Sequence, residues 1–133
     1  MVLIDDEIIL IDAAKEYLTF FLEKQGTFYP FAMIMDAKGI TYPLEREIIE
    51  EHPSPQSLIR VYEQTFHNEL KKNYILGILC IDVYVSTQNN EINIKRDAIE
   101  FRLFGKNYSK KILLFYKISN GRKILYQELI GNE

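Results

Sequence analysis

A thiol, a carboxyl and a phenol stand at alternate positions in Cys80-Ile-Asp82-Val-Tyr84. Side chains of an extended strand repeat every second residue, so all three project from one face. A carboxyl among apolar neighbours has a raised pKa, and beside a thiol it could act as an acid or base at the centre of an aromatic-lined pocket. The same pattern fits a quieter role, with Cys80 a small buried hydrophobe and Asp82 accepting a hydrogen bond near the strand's wet end. No histidine lies close in sequence to activate the thiol. The quieter role is therefore favoured, and no catalytic residue is assigned.

The other groups capable of chemistry are scattered. His52 lies among acids and prolines, and His67 follows Phe66 on a predicted helix. Neither has a partner at metal-binding spacing: His-x₃-His, Cys-x₂-Cys and His-Glu-x-x-His are all missing, so no metal is expected. The six glycines form no phosphate-cradling loop, and no cofactor is expected. Gly77, alone within a strand, reads as a bend in preference to a close approach of a helix or ligand.

Two charged stretches suggest partners. Residues 1–90 carry 7 Lys/Arg against 14 Asp/Glu, and residues 91–133 carry 9 against 5. The acidic part includes Glu45-Arg-Glu47-Ile-Ile-Glu50-Glu51, which could meet a basic protein surface. The basic part interleaves Lys95, Arg96, Arg102, Lys106, Lys110, Lys111, Lys117, Arg122 and Lys123 with Tyr108, Phe115 and Tyr126. Cations among aromatics can bind single strands, but the chain is acidic overall, with a pI of about 5.5 and no nucleotide-stacking motif. Nucleic acid is the weakest candidate partner.

These residues must be positioned by a small set of elements. Leu10, Ala14, Tyr17, Leu18 and Phe21 make a helical stripe within residues 5–25, with Asp5 or Asp6 as cap, Asp12 as a rival cap, and Gly26 as the stop. Residues 27–35 switch to strand period, and Asp36 to Gly39 turns the chain into a short strand ending near Leu44. Residues 45–52 read as a connection. Ser54 and Pro55 open a second helix over 55–72, with Leu58, Tyr62, Phe66 and Leu70 four apart. The stretch from Tyr74 to Thr87 is apolar on both faces and reads as the central strand, covered on both sides. It places Ile75, Leu79 and Ile81 on one face and Tyr74, Leu76, Ile78 and Cys80 on the other. A loop at residues 88–90 leads to an alternating strand, Ile92 to Phe104. Two further strands follow, joined by Asn120-Gly121 as a type I′ turn, and the last runs from Lys123 to Leu129.

The order α-β-β-α-β-β-β-β specifies one α+β domain over 1–133. It is a single curled antiparallel sheet of about six strands with two helices packed on one face. This order resembles that of cone-shaped folds similar to nuclear transport factor 2, and in part that of profilin-like and roadblock-like domains. The resemblance is one of element order and implies no site.

The bulk numbers bound the remainder. At 133 residues, 47% hydrophobic and 26% charged, the chain is globular in composition. No apolar run reaches the roughly 18 residues of a membrane span, the N-terminus lacks the basic residues of a signal peptide, and a single cysteine excludes an internal disulfide. A cytoplasmic protein is expected. The function expected first is a non-catalytic protein-interaction domain, of the kind that inhibits or confers immunity to another protein. Its contact surface would be Glu45, Glu47, Glu50, Glu51 and Tyr126. A ligand-binding or enzymatic cone with a pocket around Asp82 is the alternative. The last strand has no later element to cover it, so a homodimer through the C-terminal meander, anchored by Tyr126, is also expected.

Overall fold

A computed structural model describes residues 2–44, 53–70, 73–89 and 92–132. Its elements are α1 (Asp5–Gln25), β1 (Phe31–Asp36), β2 (Thr41–Pro43), α2 (Pro55–Glu69), β3 (Tyr74–Asn89), β4 (Ile92–Phe104), β5 (Ser109–Ile118) and β6 (Ile124–Asn132). The strands form one antiparallel sheet in the order β2-β1-β3-β4-β5-β6. The expected α+β class and element order are both found.

The helices do not share a face. Leu10, Ile11, Ala14, Leu18 and Leu22 of α1 pack on Met33, Met35, Leu76, Ile78, Cys80, Ile99, Phe101 and Leu103. Leu58, Tyr62, Phe66 and Leu70 of α2 pack on Ala32, Ile34, Leu79 and Ile81. Those strand residues alternate, so the two helices cover opposite sides of the sheet. The reason lies in β1 and β3. Both are apolar on both faces, and curling alone cannot shield a second apolar face from water. Because β2 and β3 each run antiparallel to β1, they are parallel to one another. The chain therefore crosses over β1 to join them, and α2 lies in that crossover.

The sheet curls around α1 as a half-barrel. Tyr17 touches Phe31 of β1, while Thr19, two residues on, bonds to Tyr126 of β6. Those residues differ by about 3 Å of helix rise. A flat sheet would separate β1 and β6 by four strand spacings, about 19 Å. Only a curled sheet brings both against one level of a helix.

Local details differ from expectation where side chains compete for the backbone. The cap of α1 is Ile4, not Asp5 or Asp6, and Glu7 accepts the Ile4 N–H at 2.9 Å. Asp5 and Asp6 sit in the first turn, where they complement the helix dipole. Ser54 caps α2 as expected, accepting Ser57 N–H at 3.1 Å. β3 extends through Gln88 and Asn89, which pair with Asn93 and Ile92 in place of forming a loop. Opposite Met35 and Asp36 a bulge leaves Ile75 as the extra residue. Tyr74 therefore joins the α2 side, and Ile75 is exposed. β6 continues past Leu129 to Asn132, with its own irregularity opposite Leu114 to Tyr116.

The last hairpin is not a type I′ turn. Neither Asn120 nor Gly121 is left-handed; Arg122 is, at φ 59°. Its N–H donates to Ser119 O at 2.9 Å. Its guanidinium donates to Lys24 O at 2.9 Å, closing the last turn of α1. That tie offsets the left-handed strain of a non-glycine residue.

Candidate functional site

β3 carries Cys80, Asp82 and Tyr84 on the α1 side of the sheet, but into three environments. Cys80 is wholly buried in the core under α1, and burial pushes its thiol well above the ordinary value. It cannot present a thiolate. Tyr84 is 65% exposed, with Lys95 Nζ 5.8 Å from its ring centroid. Asp82 lies between, at the rim where the chain leaves α1. Its Oδ1 accepts from Tyr116 Oη at 2.7 Å and its Oδ2 from Thr27 Oγ1 at 2.8 Å.

This rim holds protons firmly. Burial first, then the hydrogen bond to Asp82, pushes the Tyr116 phenol far above its ordinary value. Burial and the nearby Asp82 charge raise the Asp97 carboxyl. A phenol fixed on a carboxylate ties β5 to β3, and Thr27 ties the segment after α1 to the same oxygen pair. Both Asp82 oxygens are engaged, and the thiol behind them is sealed. The cluster suits a structural latch better than acid–base chemistry. Three clefts lined by described residues do not include Cys80, Asp82 or Tyr84, although one of them is lined by Tyr116 and Asp97 beside Asp82.

The most buried charge was not singled out from the sequence. Glu7 is 0% exposed and accepts from Ile4 N at 2.9 Å, Lys110 Nζ at 2.7 Å and Tyr108 Oη at 2.9 Å. Burial alone would raise its pKa, but these donors outweigh it and hold the carboxyl below its ordinary value. In return, burial and the bond to Glu7 push Tyr108 up to about 12. The available signal was a glutamate three residues after a cap position, the spacing that reaches back to the cap N–H.

The remaining expected residues fall as follows. Glu45, Glu47, Glu50, Glu51 and His52 lie outside the described residues. Tyr126 faces α1: its hydroxyl is 2.6 Å from Thr19 Oγ1, and Lys15 lies over its ring at 4.7 Å. His67 is exposed on the rim of a cleft of about 840 Å³ between α2 and the β4–β5 turn, with Phe66, Leu70, Phe104 and Lys106. Among the described residues, no group of three or more His, Cys, Asp or Glu side chains could hold a metal ion, and no helix is long and apolar enough to cross a membrane.

The basic meander is largely engaged internally. Lys110 pairs with Glu7, Arg102 with Glu63 and Glu100, Lys111 with Glu100, and Arg96 with Glu128. Arg96 also covers the Phe115 ring at 4.0 Å, and Arg122 caps α1. The acidic and basic halves of the sequence thus meet within the fold in part.

One unanticipated surface stands out. α2 exposes Val61 as its only large apolar side chain among the described residues, whereas α1 is apolar on both sides. Its Ile9 is 50% exposed, Tyr17 41% and Phe20 58%. These rings are connected: Tyr17 to Phe31 at 5.3 Å, Phe31 to Phe21 at 5.7 Å, and Phe21 to Phe20 at 5.9 Å.

No protein-family model matches the chain, and neither a curated protein nor a solved structure shows significant similarity to it.

Proposed function

We propose that this chain is a small, non-catalytic protein-interaction domain, an inhibitory or immunity-type partner of another protein, acting in the cytoplasm. The observation that carries it is the connected chain of rings from Tyr17 through Phe31 and Phe21 to Phe20, whose two end rings, Tyr17 and Phe20, are exposed on α1. Connected exposed aromatics are the composition of protein contact surfaces, and a helix apolar on both sides ordinarily has cover on both. The tied-up state of Asp82 and the burial of Cys80 support a non-catalytic role. The cytoplasmic assignment rests on the lone buried thiol and is part of the proposal.

The test is a photo-crosslinking amino acid at Phe20, with the same probe at Val61 on α2 as control. The expected result is one discrete adduct from Phe20 that excess unmodified chain competes away, and none from Val61. No competable adduct at Phe20 refutes the proposal.

A second copy of the chain is the other reading, favoured by Leu125, Leu129 and Ile130, all exposed on the edge strand β6. Such a homodimer would form through β6 without Tyr126 as its outward anchor. Light scattering decides it: a dimer lost on Leu125→Glu supports it, and a monomer removes it.

A further inference from the structure

The outward side of α1 is built in two parallel rows. Ile9, Ala13, Tyr17 and Phe20 recur at spacings of four, four and three, which makes a second apolar stripe beside the buried one. Asp5, Asp12, Glu16 and Glu23 recur at seven, four and seven, which sets four carboxylates in one line along the outer border of that stripe. None of the four has an ion-pair partner among the described residues. Of the helix's own cations, Lys15 lies over the Tyr126 ring, away from the carboxylate row, and Lys24 lies 5.5 Å from the Phe20 ring centroid, at the C-terminal end of the stripe.

From these rows, and resting on the protein-interaction reading above, we infer that α1 docks a basic amphipathic helix of a partner protein. An apolar ridge on that partner seats on Ile9, Tyr17 and Phe20, and a flanking row of Lys or Arg meets Asp5, Asp12, Glu16 and Glu23. The apolar stripe supplies the contact, and the carboxylates identify what can cover it. An acidic or neutral covering surface would leave four unpaired charges at the border, whereas a cationic row complements them and speeds encounter. The apolar row from Ile9 to Phe20 rises about 16 Å and the carboxylate row from Asp5 to Glu23 about 27 Å, so the complementary element is a straight one of about three to five helical turns. The register also follows. The row of four carboxylates lies along one side of the ridge, so the partner's main row of cations lies along one side of its apolar stripe.

The probe is a synthetic helical peptide of leucine and lysine with that one-sided pattern. Its control is a peptide of the same composition, scrambled to lose helical period. The patterned peptide is expected to bind the intact chain, to shift amide resonances at Ile9, Asp12, Glu16, Tyr17 and Phe20, and to gain helicity. Phe20→Ser is expected to weaken it by about tenfold or more, the effect of losing a central aromatic anchor. Asp12→Asn with Glu16→Gln is expected to weaken it and to flatten its salt dependence. Both variants alter exposed side chains and should keep the parent melting temperature; Ile9→Ser is the second apolar variant if Phe20→Ser does not. Equal binding by the scrambled peptide, resonance shifts confined to other elements, or no binding each overturns the inference. If crosslinking at Phe20 still captures a partner when the peptide fails, the partner's chemistry is wrong and the interaction domain stands. If neither succeeds, both fall.

Discussion

Gly77→Ala tests how closely α2 sits on the sheet. A Cβ at this position would lie 2.5, 2.6 and 2.9 Å from three carbons of the Phe66 ring, inside van der Waals contact. Phe66 is fully buried and stacked on Phe104 at 5.2 Å, so moving its ring disturbs that pair. Overpacking of this kind costs about 1–3 kcal/mol. Replacing glycine in a strand returns about 0.5–1 kcal/mol through the unfolded chain, so the net loss is between about 0 and 2.5 kcal/mol. Phe66→Ala alone costs about 3–5 kcal/mol by opening a cavity. In that background the Gly77 methyl meets empty space, and Gly77→Ala should become neutral or stabilising. The two changes are therefore coupled by about 1–3 kcal/mol in the favourable direction. Urea unfolding of the four proteins, read as midpoints at constant slope, measures this directly. An equal effect of Gly77→Ala in both backgrounds, or a stabilised single variant, would falsify the close approach.

Other consequences follow from the buried polar contacts. Glu7→Gln should cost about 1–3 kcal/mol near neutral pH, since Lys110, Tyr108 and the Ile4 N–H all lose a charged acceptor; thermal unfolding checks it. The Glu7 carboxyl is held below its ordinary value of 4.5, so its stabilisation is complete above that pH and fades as pH falls through the lower folded value. The acid limb of a stability–pH curve should accordingly move in Glu7→Gln. Tyr108 runs the other way: raised from 10.0 to about 12, it stabilises fully below pH 10.0, and that contribution is lost over the range up to about 12. Tyr108→Phe should remove that part of the alkaline loss in a denaturation series. Asp82→Asn should leave the fold intact and lower the alkaline pH at which Tyr116 ionises in an ultraviolet titration, because the anionic acceptor is gone.

The parts legible in the sequence are those set by period and by local chemistry. β3 could be recognised because β-branched residues fill both of its faces, and α2 because Leu58, Tyr62 and Phe66 fall four apart behind Ser54-Pro55. What escaped depended on partners far along the chain. Gly77 reads as a bend until α2 places Phe66 over it. Arg122 is an ordinary hairpin residue until α1 ends within reach of its guanidinium. Tyr126 reads as an exposed anchor on a last strand, yet the curl of the sheet turns it onto Thr19. Cys80, Asp82 and Tyr84 share one face of β3, as alternate strand positions do. Period-2 spacing gives direction but not depth, and depth decided that Cys80 is sealed while Tyr84 is open.

The placement of the helices constrains where function can reside. A cone with both helices on one side would have left an interior between helix and sheet, and Asp82 would have been its polar centre. Here α1 fills the concave side, with Leu10, Ala14, Leu18 and Leu22 all wholly buried, and α2 closes the convex side over β1 and β3. The middle of the sheet is thereby spent on packing, and its reactive groups survive only at the rim, tied to Tyr116 and Thr27. On the proposed interaction reading, recognition occurs on the outside. There α1 differs from α2 in the way that counts: α2 presents polar residues and Val61, as a helix facing water does, while α1 presents Ile9, Tyr17 and Phe20 beside a line of carboxylates that form no ion pair among the described residues. Core packing does not require those three outward side chains, because the buried stripe is already complete without them. Replacing Ile9 or Phe20 by serine should therefore move stability by no more than about 0.5 kcal/mol, the range of surface changes. A larger loss in thermal unfolding would mean that these side chains serve the fold, and the contact surface would have to be sought elsewhere.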